Sequence, residues 1–215
     1  MHRFTILCLT FIAGFVDTAT FVSAKGLFAA HVTGNFVLFG AALANGFRTE
    51  DYVKLMTFPV FIVAVAIGAV IYSTSKKISI IFWLQALLLI SVGSIVQFAP
   101  NAVPLSLLVL TLVMAMGLQN SLHRYLPGPM TTVMTGTVMN WSAGFVERIF
   151  GLATLPSKTP AAKPMTGRMM LCFATGCISA GFINQQLGLA SVSIPGILMV
   201  ILAIFEMQNH KGETV

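Results

Sequence analysis

The sequence predicts an all-α polytopic integral membrane protein, a helical bundle of six to eight transmembrane segments built from two internal repeats. Three observations carry that prediction. Of 215 residues, 57% are hydrophobic and only 8% are charged. Soluble domains run at about 25% charged, and a chain this poor in charge cannot cover a water-facing surface. Apolar runs of about 20 residues, the length a helix needs to cross a bilayer, recur along the chain. Related motifs recur about 102–103 residues apart. The composition excludes an ordinary soluble enzyme, a disordered chain and a nucleic-acid-binding module.

Eight apolar segments follow in order: residues 4–23, 27–44, 55–72, 78–98, 103–122, 130–150, 169–186 and 191–207. The first begins after Met1-His2-Arg3. It is too long for a signal-peptide core, and Asp17 interrupts it. Segments 27–44 and 130–150 are the most polar. They are either full spans or short helices that do not cross, which leaves eight or six crossings. The connections carry the punctuation: Asn45-Gly46, residues 73–77, Pro100-Asn101 and Leu126-Pro127-Gly128-Pro129. The one long loop, residues 151–167, holds Pro156, Lys158, Pro160, Lys163 and Pro164 and reads as exposed. The chain is one membrane domain, with repeat one over 1–98, repeat two over 103–207 and a short polar tail over 208–215.

Twelve Lys and Arg against six Asp and Glu give a net charge of +6. In a membrane protein this balance reports topology, because basic loops stay cytoplasmic. With eight crossings and the N terminus inside, the inner ends carry Arg3, Arg48, Lys54, Arg148, Lys158, Lys163, Arg168 and Lys211. The outer ends carry Lys25, Lys76, Lys77 and Arg124, about eight against four. The expected location is the bacterial cytoplasmic membrane, multi-pass, with the lipid bilayer as partner and no nucleic acid. Trp83, Trp141, Tyr52, Tyr72 and Tyr125 fall mostly near segment ends, as an aromatic belt does. Cys8, Cys172 and Cys177 lie in apolar stretches without CxxC spacing, so no disulfide framework or zinc site is expected.

The first half contains Gly14-Phe15-Val16-Asp17 and His31-Val32-Thr33-Gly34-Asn35. The second contains Gly117-Leu118-Gln119-Asn120 and Met134-Thr135-Gly136-Thr137. Asp17 corresponds to Asn120, and Thr33-Gly34-Asn35 to Thr135-Gly136-Thr137. Four crossings per half favour parallel halves; three per half would invert them.

Asp17 is the only acidic residue deep within a predicted segment. Inserting a carboxylate there costs about 2.5–3.5 kcal/mol, which makes it a functional hypothesis by default. At 1.5 Å rise per residue, Asp17 and Thr33 each lie about 9 Å below the outer ends of their segments. His31 and Asn35 bracket Thr33, and Asn120 and Thr135 fall at comparable depth. The expectation is two polar clusters facing each other in the outer half of the bundle. Gly34 and Gly136 allow close approach of backbone or ligand, and Thr and Asn supply uncharged donors and acceptors. An unperturbed imidazole titrates near neutrality, which makes His31 a candidate to relay a proton to Asp17. Of the neutral polar residues Gln85, Gln97, Gln119, Asn184 and Gln185, Gln119 is the better site candidate, beside Asn120. His123, next to Arg124 in a turn, reads as interfacial. The chain has no P-loop, HExxH or GxSxG motif, and its Met residues form no copper set. No cofactor, metal or enzymatic activity is expected.

Ala13-Gly14-Phe15-Val16-Asp17, Gly26-Leu27-Phe28, His31-Val32-Thr33-Gly34-Asn35, Gly117-Leu118-Gln119-Asn120 and Val133-Met134-Thr135-Gly136-Thr137 resemble the YoaK family of bacterial membrane proteins. The resemblance spans nearly the whole chain. It implies a multi-spanning protein with about six helices, of unknown function and often guessed to be a permease.

Together these point to a secondary transporter or permease for a small molecule or ion, bound between the two halves. Asp17 is the expected coupling or cation-binding carboxylate. His31, Thr33, Gly34, Asn35, Gln119, Asn120, Thr135, Gly136 and Thr137 complete the candidate site. The alternative is a non-transporting membrane binding or scaffold protein whose buried polar groups only hold helices together. A homo-oligomer is compatible with either.

Overall fold

The computed structural model describes residues 2–125, 130–132, 134–151 and 164–212. These form eight α-helices: α1 (His2–Ser23), α2 (Val32–Ala44), α3 (Tyr52–Ser75), α4 (Ile78–Phe98), α5 (Leu105–Ser121), α6 (Met134–Phe150), α7 (Pro164–Leu187) and α8 (Ser193–Gly212). The protein is a polytopic helical membrane protein. Five apolar helical stretches are long enough to cross a bilayer: Arg3–Ser23, Thr49–Ser75, Ile78–Phe98, Leu105–Arg124 and Met165–Gln208. The last is 44 residues long and covers most of α7 and α8. They are separated at Gly188, whose φ of +55° suits a residue without a Cβ.

Packing fixes the relative directions. Gly14 of α1 lies against the Phe173 carbonyl of α7, Gly176 of α7 against the Phe11 backbone, and Asn184 donates to Ser23 Oγ at 2.8 Å. Residue numbers rise together along both helices, so α1 and α7 are parallel. In the same way Gly117 and Ser121 of α5 meet Ala64 and Gly68 of α3, so α3 and α5 are parallel. Gly93 of α4 meets Ser193 of α8, while Trp83 meets Met207. Numbers rise on one helix as they fall on the other, so α4 and α8 are antiparallel. Gln85 of α4 meets Gln119 of α5, level with the Ala64–Gly68 stretch of α3. The two-residue turn at Lys76, φ +57°, therefore reverses the chain between α3 and α4.

These directions bear on two alternatives that the sequence left open. Eight alternating crossings would make α4 and α8 parallel, and they are antiparallel. Six crossings, α1, α3, α4, α5, α7 and α8, satisfy every pair. The halves therefore run in opposite directions, not in the same direction as four crossings per half had favoured. The 13-residue α2 spans about 20 Å, short of a roughly 30 Å hydrocarbon core. Lys25, just after α1, bonds Glu50, just before α3, at 2.9 Å. The chain thus leaves α1 and enters α3 on one face, and α2 makes its excursion from that face. By the same directions α6 starts and ends on the opposite face, against α7.

The core lies along α1, α4, α5 and α8. Phe15, Ile12, Phe82, Leu89, Leu112, Met116 and Leu202 are fully buried there. Outward-facing Phe182, Leu171, Leu87, Val70 and Ile197 are more than half exposed. So many large apolar side chains on the perimeter suit lipid and not water.

Candidate functional site

Asp17 sits six residues from the end of α1, about 9 Å along the helix, and is 3% exposed. Its carboxylate reaches across to the segment that links α1 to α2. Oδ1 accepts the backbone N–H groups of Ala29 at 2.9 Å and Ala30 at 2.6 Å. Oδ2 pairs with Nδ1 of His31. Three donors on one carboxylate offset the desolvation that an isolated charge would suffer. The cost of inserting Asp17 is met inside the chain, and the linker is pinned against α1.

Asn35 pins the same linker from the other side. Its Oδ1 accepts Phe28 N–H at 2.9 Å, and its Nδ2 donates to Phe28 O at 2.8 Å and to Thr57 Oγ1 of α3 at 3.1 Å. Asn35 is fully buried. Its amide is engaged with the protein, and it is not part of the cleft described next.

An open cleft of about 560 Å³ runs between α1, the linker, α2 and α7. It is lined by Asp17, Thr18 and Phe21, by Phe28 and His31, by Thr33 and Gly34, and by Phe173 and Cys177. The rings are contiguous. Phe21 and Phe28 have centroids 4.9 Å apart, and the His31 ring meets Phe28 at 6.0 Å and Phe173 at 5.9 Å, both edge-on. The volume falls within the range of small-molecule sites, and apolar walls with a few polar groups are what such sites present.

The second half repeats the clasp in altered chemistry. Asn120 Oδ1 accepts the Thr132 hydroxyl at 2.6 Å. The separation of 12 residues is that of Asp17 and Ala29. His123 Nε2 accepts Thr131 N–H at 3.0 Å. Gln119 is buried, donates to Leu9 O at 2.9 Å and to Thr131 Oγ1 at 3.1 Å, and accepts from Gln85 at 2.8 Å. Because α5 runs opposite to α1, this cluster lies toward the other face of the bundle. The two polar clusters do not face each other in one outer half, as equal depth in parallel halves had implied.

Asp17, His31, Thr33 and Gly34 thus share one cleft. Asn35, Gln119 and Asn120 lie in the packing around it or beyond it. Thr135, Gly136 and Thr137 lie on α6, outside the cleft lining. His123 is a bonded, half-buried group and not merely interfacial. The sequence reading missed Thr57, Thr131 and Thr132, and it missed the α7 wall of Phe173 and Cys177. Thr131-Thr132, just before the second Thr-Gly pair, was a legible signal for the clasp. The α7 residues carry no local signal, since only packing brings them to α1. Cys8, Cys172 and Cys177 are free thiols.

The family model described as a protein of unknown function (DUF1275) matches residues 5–205. The chain belongs to this family. It is also 28% identical over 154 residues to the UPF0700 transmembrane protein YoaK of Bacillus subtilis (strain 168), a match covering 68% of this chain and 67% of that one. No solved structure matches.

Proposed function

We propose that this protein is a secondary transporter or permease of the bacterial cytoplasmic membrane, crossing it six times, with its substrate site in the Asp17 cleft. The observation that carries this reading is an open cleft reaching the buried Asp17 carboxylate within α1, between halves that run in opposite directions. Opposed halves around a polar site are a recurrent transporter design. Charge supports the orientation. Among the described residues, the face of the α1 N terminus carries Arg3, Lys76, Lys77, Arg124, Arg148, Arg168 and Lys211, and the opposite face carries Lys25, Arg48 and Lys54. Seven against three is the asymmetry expected of a cytoplasmic N terminus.

A second reading rests on the saturation of Asp17. All its bonds go to its own chain, as in a scaffold whose polar groups only secure helices. Transport in proteoliposomes with entrapped pH dye separates the two. A panel of small cations, anions and neutral solutes is applied across the membrane. The transporter reading expects at least one solute to evoke flux that Asp17→Asn abolishes. Flux unchanged in that variant, or no flux with any solute, overturns it.

A further inference from the structure

Resting on that reading, we infer that the Asp17–His31 cleft takes a lipophilic organic cation and exchanges it against a proton. The cleft's one fixed charge is the Asp17 carboxylate, and among its lining residues there is no Lys or Arg. An anionic substrate therefore finds no permanent counter-charge. A cation finds a carboxylate and the aromatic rings of Phe21, Phe28 and Phe173 in the cleft lining. Rings of this kind attract cations through their quadrupole, more strongly where water is excluded.

The carboxylate alone cannot act as a free ligand, because both oxygens are already bonded within the chain. His31 is the adjustable member. Asp17 takes its Nδ1, which leaves Nε2 as the second polar atom of a ring that lines the cleft. With both ring nitrogens protonated, imidazolium and carboxylate together are neutral. When Nε2 releases its proton to water, the pair carries one net negative charge, which an entering monovalent cation neutralises. One cation enters as one proton leaves, and charge balances. The two ligands exclude each other through charge, without needing the same atom. The other titratable group lining the cleft is Cys177 of α7, beside Thr18 of α1. The described helix α2 contributes no ionisable side chain.

Tetraphenylphosphonium is the probe, titrated into the purified full-length protein in detergent by calorimetry. Buffers of differing ionisation enthalpy count the protons released. The expected result is saturable binding at about pH 8, at least about tenfold weaker at about pH 5.5, with close to one proton released per cation. His31→Gln should flatten the pH dependence and release no proton. Phe173→Leu should weaken binding several-fold with an unchanged melting profile, which keeps the test valid if Asp17→Asn fails to fold. Absence of saturable binding, or binding equal at both pH values, overturns the inference. Proton-linked binding without translocation in proteoliposomes supports the cation site while overturning the transporter reading. Asp17-dependent flux of an anionic or neutral solute, with no tetraphenylphosphonium binding, supports the transporter and overturns the cation site.

Discussion

At the scale of single residues, two buried polar side chains hold the linker between α1 and α2. Asp17 grips Ala29, Ala30 and His31, and Asn35 grips Phe28 and ties it to Thr57. Hydrogen bonds to a charged group each contribute about 1.5–3 kcal/mol, and an abandoned buried partner costs about 1–3 kcal/mol. Asp17→Ala strands two backbone N–H groups and is expected to lower the melting temperature in detergent more than Asp17→Asn, whose amide oxygen still accepts. Equal losses in the two variants would show that the carbonyl-type acceptor is not what holds the linker. Asn35→Ala removes both bonds to Phe28 and should destabilise by about 1–3 kcal/mol, read by the same melting curves. It should also loosen Phe28, which lines the cleft although Asn35 itself does not.

At the scale of elements, small residues decide which helices touch. Gly14 and Gly176 let the α1 and α7 backbones approach so closely that an added Cβ would collide with a carbonyl on the partner. Gly117 does the same for α5 against α3, where a Cβ would lie 2.6 Å from that of Ala64. In lipid, where hydrocarbon does not drive helices together, such close packing carries association. Gly14→Val should cost at least about 1–3 kcal/mol through overpacking, seen as a lower melting temperature. Gly40→Val, on α2 with open space around it, serves as the comparison and should change little. The helices themselves were readable as apolar runs, and their partners were not. A Gly in an apolar run looks the same whether it meets another backbone or open lipid.

At the scale of the whole molecule, the antiparallel α4–α8 pair is the decisive contact. Six crossings place Asn101 and Gln186 on one face and Lys76 and Arg124 on the other. Eight crossings would separate Asn101 from Gln186. With Cys8, Cys172 and Cys177 replaced by Ser, single variants Asn101→Cys, Gln186→Cys, Lys76→Cys and Arg124→Cys should label in those two pairs with an impermeant maleimide on intact cells. Opposite labelling of Asn101→Cys and Gln186→Cys would refute the six-crossing arrangement.

Composition and periodicity alone determined that this is a helical membrane bundle, where its apolar stretches lie, and that Asp17 and the Thr-Gly motifs are its unusual polar positions. Those properties are local: each depends on a run of about 20 neighbours and on what lipid tolerates. Tertiary structure alone decided that α2 stops short, that the halves oppose each other, and that Asp17 and Asn120 look toward opposite faces. It also decided that Phe173 and Cys177 complete the cleft. These depend on contacts between residues 100 or more positions apart, such as Gly14 with Phe173 and Gly93 with Ser193. Direction across a bilayer is a parity. One short helix that fails to cross reverses every later segment, and the hydropathy of that helix alone does not reveal it.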